Sequence, residues 1–434
     1  MNLYLFQNEV ATSVAEKFCE YQTDPLLVTR ETTVPFFQNI SAITGAGKTI
    51  ILADIITQMR LYLSTEPIAL WISKGRVVVA QTYANLSTGK YSQFIPNFNV
   101  LPLLDCKQTH IEDSSQAFLL VATVGKFNQR DMDKGDRMIY QQCLDNADIS
   151  LWNLLKTREL PNGKKRPLFI IYDEGHNLSD QQTELLLKLN PDAIISASAT
   201  IRVPEVLNKQ VFQRFIDNKD WSEKDFTTTV KSADVVKSGL IKRRIEFGGY
   251  VTPMEFAIDE LIADYKKMCD YIQKNDINIA PKAIYVSNTN IVAETGESDN
   301  HLQDFDLRKS SPIRIWKYLT ANHGIDPDDI AVYCDLEVDN RFPLPANFHL
   351  FSGGDNDYND FITGNYHHII FNLSLQEGWD DPECYFAYID KDMGSKDQVT
   401  QVIGRVLRQP ETRHFSNEDL NTAHLCPYRF KKCH

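Results

Sequence analysis

Short apolar runs rich in Ile, Val and Phe alternate along this chain with longer stretches of helical character. The runs are Ile68 to Ile72, Phe118 to Ala122, Leu168 to Tyr172, Ala193 to Ser196, Ala283 to Val286 and His368 to Asn372. That pattern predicts parallel strands joined by crossover helices, a doubly wound α/β architecture. After Ser198-Ala199-Thr200 the chain turns polar through Asp217 to Asp234, and a new strand is predicted at Arg244 to Phe247. A boundary near residue 230 follows, giving domains over 1–230 and 231–434. The length of 434 residues agrees, being too long for one compact domain and suited to two of about 200. Phe127 to Leu160 lacks a clear strand and holds a helix around Leu151 to Leu155, so it reads as an insertion in the first domain.

Composition changes this picture little. Hydrophobic residues make up 43% and charged residues 24%, so both domains can bury a core. The first residues lack a basic lead followed by a long apolar run, and no segment reaches the ~18 apolar residues of a membrane span. The expectation is a cytoplasmic protein with no membrane contact. Eight scattered cysteines without a CxxC pair suit reduced thiols. The near-cluster of His424, Cys426, Cys433 and His434 reads as a frayed terminus in preference to a zinc site.

Charge matters more. A formal net charge of −13 argues against coating nucleic acid by bulk electrostatics, without excluding a track held in one groove. Two basic triplets, Lys164-Lys165-Arg166 and Lys242-Arg243-Arg244, read as solvated loop or strand-edge charges, with phosphate contact as the second reading.

The candidate chemistry begins at Ala42-Ile43-Thr44-Gly45-Ala46-Gly47-Lys48-Thr49, which follows an apolar segment and opens the helix-like run Ile50 to Arg60. This is the strand–loop–helix setting of a P-loop. Backbone N–H groups and the helix N-terminus point at phosphates, and the glycines permit the close approach. Lys48 is then expected on the β and γ phosphates and the Thr49 hydroxyl on magnesium. The run Leu168 to Tyr172 ends in Asp173-Glu174-Gly175-His176; Asp173 is expected to hold magnesium and Glu174 to activate the attacking water. Two acids after a strand are commonly a solvated turn, and it is the P-loop upstream that gives them meaning. Ser198-Ala199-Thr200 continues the series, followed by Gln376-Glu377-Gly378-Trp379-Asp380 and Gln401-Val402-Ile403-Gly404-Arg405-Val406-Leu407-Arg408. Phosphoryl transfer needs fixed positive charge, and Arg405 and Arg408, three apart, are expected on one helix face.

These residues resemble the helicase motor of the type III restriction enzyme Res subunit family and its DEAD/DEAH-box relatives in helicase superfamily 2; the A-x-T-G-x-G-K-T form of the P-loop and Tyr172 to Asn177 followed by Ser198-Ala199-Thr200 carry the likeness, and Glu377 to Asp380 and Gln401 to Arg408 are its most family-specific pieces. The resemblance implies two tandem RecA-like domains of P-loop NTPase fold, with parallel sheets flanked by helices. It implies an ATPase that binds ATP and magnesium between the domains and works on DNA, taken as double-stranded, as a helicase or translocase in a restriction or defence setting. By the same likeness Phe6-Gln7 is similar to the glutamine motif that reads adenine. Thr44 to Thr49, Asp173, Gly378 and Asp380 belong to the nucleotide site, and Gln401 joins Lys48, Glu174, Arg405 and Arg408 in catalysis. Lys74, Gln81, Thr82, Thr123, Ser287 and Asn288 match positions that contact the nucleic-acid backbone or couple to it.

One departure stands out. Res subunits continue into an endonuclease, whereas only Gln409 to His434 follow Arg408 here, and Pro427 argues against a final central strand in that tail. A motor without its cutter, or a chain that ends early, is expected. A nucleotide-gated module that binds nucleic acid or a methyltransferase partner without translocating would carry the same motifs.

Overall fold

The apolar runs become parallel strands in the computed structural model, which describes the chain except for residues 1, 30–31, 128–149, 161–162, 176–177, 199–202, 249–252, 293–294, 353–356, 373–378, 380, 391–401 and 428–434. Two units divide the chain, Met1–Asp234 and Val235–His434. Each is a RecA-like α/β domain whose sheet, among the described residues, has seven parallel strands flanked by helices.

In the first unit the strands are β1 (Phe36–Ser41), β2 (Ile68–Ser73), β3 (Phe98–Pro102), β4 (Ala117–Thr123), β5 (Leu168–Asp173), β6 (Ala193–Ser198) and β7 (Thr227–Thr229), in the order β3-β4-β2-β5-β6-β1-β7. Every residue of β2 and β5 is buried, which explains why their sequences read as unbroken apolar runs: a parallel strand covered by helices has no wet face. Helix α1 (Leu5–Thr23) buries Ala11, Val14, Ala15 and Phe18 at helical spacing. The Phe18 ring meets Phe36 at 5.6 Å and Phe169 at 5.5 Å, fastening α1 over β1 and β5. Helix α2 (Lys48–Arg60) buries Ile51, Ile55, Ile56 and Met59. β6 lies between β1 and β5, with Ser41 opposite Ser198 and Asp173 opposite Ala197, so the three carboxyl ends share one edge of the sheet.

The second unit holds β8 (Arg244–Phe247), β9 (Lys282–Ser287), β10 (Ile330–Tyr333), β11 (His349–Phe351), β12 (His368–Phe371), β13 (Cys384–Asp390) and β14 (Thr422–Pro427), in the order β11-β10-β12-β9-β13-β14-β8. The last strand corrects the expectation from Pro427. β14 is an interior strand, and proline is tolerated because it stands at the strand's last position, paired with Ile389 on one side after the ladder to β8 has ended at Leu425. Nor do His424 and Cys426 fray: His424 stacks on Phe386 at 4.8 Å and meets Glu246 at 3.3 Å, and Cys426 is buried. Cys433 and His434 lie outside the described residues, as does most of the insertion predicted over Phe127 to Leu160; its helix is Leu151–Thr157.

Both basic triplets also need correction. Arg166 is fully buried and spends its guanidinium on the carbonyls of Glu66 (2.8 Å), His110 (2.7 Å), Ile111 (3.0 Å) and Gln116. Burial lowers its pKa to about 10. Lys242 is likewise buried among carbonyls. A cationic side chain can occupy an interior when every donor finds an acceptor, and each triplet contributes one such staple while Lys164, Lys165, Arg243 and Arg244 stay exposed.

Candidate active site

β1 ends at Ser41, the chain crosses Ala42 to Gly47 as a loop, and α2 starts at Lys48. The loop is held at both ends by backbone. Ala42 N–H donates to the Ser198 carbonyl at 3.2 Å, and Ile50 and Ile51 N–H groups donate to the Gly47 carbonyl at 3.0 and 3.1 Å. Gly47 takes φ +78, a conformation that favours glycine, and a Cβ there would stand 2.5 Å from Gln7 Nε2 and displace that amide. Gln7, buried at 2% exposure, braces the loop from behind. Its Nε2 donates to the Ala46 carbonyl at 2.9 Å, and its Oε1 accepts from Tyr4 N–H at 3.0 Å. The residue expected to read adenine therefore already holds the P-loop.

At the end of β5, Asp173 is buried and Glu174 turns outward with φ 63, a strained backbone for a residue with a Cβ. Gly175 follows where a Cβ would press to 2.9 Å from the Ser196 side chain. Thr49 Oγ1 donates to Asp173 Oδ2 at 3.2 Å, and Lys48 Nζ lies 3.2 Å from Glu174 Oε1. Burial, with help from the Glu174 charge, pushes the Asp173 carboxyl up to about 6, against the pull of Lys48 and Thr49. The donor set fits a small hard cation: a hydroxyl and a buried carboxylate present two oxygens 3.2 Å apart, the ligand type such a cation takes. A divalent charge there would relieve the penalty on the buried carboxylate. Thr44, Gly45 and Ala46 complete the loop; His176, Asn177, Ala199 and Thr200 lie outside the described residues.

The second unit's motifs resolve differently. Gln401, Gly378 and Asp380 lie outside the described residues. Among the described residues, 402–406 are helical, with Leu407 in a turn and Arg408 on an isolated bridge to Ile241, so Arg405 and Arg408 do not share a helix face. Arg405 is buried at 7% exposure, donates from Nη1 to the Trp379 carbonyl at 2.6 Å, and lies over the Phe371 and Trp379 rings at 5.7 and 5.5 Å. Arg408 is half-buried. Among the expected backbone-contacting residues, Lys74 is exposed, Gln81, Thr123 and Asn288 are half-buried, and Thr82 and Ser287 are buried. Sequence reasoning missed Ser198's carbonyl as an anchor and the Gln7–Ala46 contact, which joins residues 39 apart through a main-chain oxygen that no side-chain motif reveals.

Residues 1–203 match the family model of the type III restriction enzyme, res subunit. The matched span takes in the P-loop, Asp173, Glu174 and Ser198, and bears out the resemblance read from the motifs. Among solved structures, the chain is similar to the type ISP restriction-modification enzyme LlaBIII bound to DNA, at TM-score 0.51 and 10% identity over 98% of this chain and 27% of that one. It is also similar to Saccharomyces cerevisiae Dbp5 bound to RNA and ADP BeF3 (TM-score 0.46, 13% identity, 96% of this chain, 88% of that one). A third is a fragment of an HsdR subunit of a type I restriction enzyme from Vibrio vulnificus (TM-score 0.45, 13% identity, 90% and 60%). The chain thus spans 60% of the HsdR fragment and 27% of the type ISP enzyme. No curated protein matches it. The shared fold is the tandem RecA-like pair of the helicases. Among the described residues no helix is long and apolar enough to cross a membrane.

Proposed function

We propose that this chain is an ATP-hydrolysing motor that moves on double-stranded DNA. The observation that carries the reading is the convergence of Lys48, Thr49, Asp173 and Glu174 at one sheet edge, with Lys48 facing Glu174 and Thr49 facing Asp173 at 3.2 Å each. In that arrangement Lys48 exchanges its exposed carboxylate partner for the β and γ phosphates. Glu174, released, orients and deprotonates the attacking water. Thr49 and Asp173 would hold magnesium, which would supply positive charge to offset that of the phosphates. Gln7 keeps the P-loop in shape for the backbone N–H groups to meet the anion. Arg408 is assigned to the transition state, which requires it to reach the same nucleotide during turnover, while Arg405 holds the Trp379 segment. DNA as the track, service in restriction or defence and a methyltransferase partner are part of this proposal, supported by the likeness of residues 1–203 to the res-subunit model, and cytoplasmic location is proposed from the apolar pattern of the sequence. The test is ATP turnover by the purified chain with duplex DNA, single-stranded DNA, RNA or no nucleic acid. Stimulation by duplex DNA is expected, and turnover that responds only to RNA would overturn the choice of track.

A further inference from the structure

The residues by which the chain enters the second unit are joined to those around Arg408. Lys242 N–H donates to the Leu407 carbonyl at 2.7 Å, Gln409 N–H donates to the Leu240 carbonyl at 3.2 Å, and Ile241 bridges Arg408 between them. The Lys242 side chain then turns inward. Its Nζ donates to the carbonyls of Pro382 (3.3 Å), Cys384 (3.0 Å) and Arg408, and it lies 4.1 Å from the centroid of the Tyr385 ring. The neighbouring Asp381 carboxylate is taken by Lys282 at 2.5 Å. Burial lowers the amine to about 7, with Cys384 and Asp381 acting in the opposite direction.

A lysine this enclosed is costly to bury, and a methionine would fill the same space without that cost. What the amine contributes is three directed donors for three carbonyls. One of these, at Arg408, lies just past the end of the 402–406 helix, where carbonyls lack intrahelical partners. We propose that Lys242 is a positioning residue that fixes the main chain at Arg408 and ties it to β13, so that the arginine is presented from a rigid segment. This rests on the reading of Arg408 as the transition-state arginine.

The test uses the full chain with Lys242→Met, which removes the donors, and Lys242→Gln, which restores two of them. In Lys242→Met, kcat for ATP should fall about 10²-fold while KM for ATP stays within about twofold, because misplacement acts on the transition state. Amide exchange over residues 405–409 should speed up about tenfold with the rest of the second unit unchanged, and Lys242→Gln should recover much of both effects. Unchanged exchange over 405–409 overturns the proposal whatever the turnover does. A general loss of protection across the second unit in both variants also overturns it, since that marks a structural part only. Wild-type protein that hydrolyses no ATP under any condition sinks the motor reading, and the exchange measurement still decides whether Lys242 holds this segment.

Discussion

Lys48 and Lys242 are both buried lysines in motif-bearing regions, one in each unit, and their surroundings differ in kind. Lys48 lies at the rim of the P-loop opposite Glu174, whose side chain is 42% exposed. Lys242 faces main-chain carbonyls that cannot leave. A partner that can swing into solvent leaves its lysine available for an anion, whereas a carbonyl cage commits it to architecture. The contrast extends to the regions around them. In the first unit the motif side chains face one another at the carboxyl ends of the strands, and in the second Arg405 is buried against the Trp379 carbonyl while Arg408 is half-buried.

The sharpest way to break this contrast is to exchange the expected effects of the two arginines. Arg408→Ala should lower ATP turnover by about 10³–10⁵-fold while leaving fluorescent-nucleotide affinity and the melting curve near wild type. Arg405→Ala should lower stability by about 1–3 kcal/mol, because it leaves the Trp379 carbonyl without its donor, and should reduce turnover only as far as that segment shifts. Calorimetry beside steady-state kinetics separates them; equal stability losses in both variants would erase the distinction between the half-buried and the buried arginine.

Glu174→Gln comes next in size. It removes the base without disturbing Thr49 and Asp173, so nucleotide binding should persist while hydrolysis falls about 10²–10⁴-fold. A variant that binds and turns over normally would return Glu174 to the status of a salt-bridge partner for Lys48.

The smallest expected effect concerns Asp173. Its folded pKa of about 6 lies above the unfolded value, so the folded state holds the extra proton between about pH 4 and 6 and stability falls as pH rises through that window. Asp173→Asn should therefore stabilise the nucleotide-free protein at neutral pH by at most roughly 3 kcal/mol, an amount that vanishes near pH 4. Denaturation midpoints at pH 4 and 7 measure it, and a variant less stable than wild type at pH 7 would show that the carboxylate is already compensated.

Buried central strands announce themselves as apolar runs in both units, and the first unit was the more legible because the P-loop and the acidic pair are local in sequence. Among the edge strands β8 was legible at Arg244 to Phe247, whereas β7 was not: it is three threonines whose pairing with β1 needs no apolar run. Pro427 misled because its effect depends on which ladder its position faces. Arg166 and Lys242 misled because residue type predicts exposure, whereas their burial is set by carbonyls that tertiary structure delivers from distant segments. The Arg405 and Arg408 spacing implied a shared face only on the assumption of a helix reaching 408, and it ends at 406.

Phosphate release from ATP by wild type and by Lys48→Ala, each with and without duplex DNA, tests the central claim most directly. Wild type should show DNA-stimulated turnover and Lys48→Ala none, with identical circular dichroism, since the change removes a charge at the first residue of α2, where its ion-pair partner is Glu174, and not an apolar core contact. Wild-type turnover in the Lys48→Ala protein would contradict the assignment of the first unit's sheet edge as the site of hydrolysis.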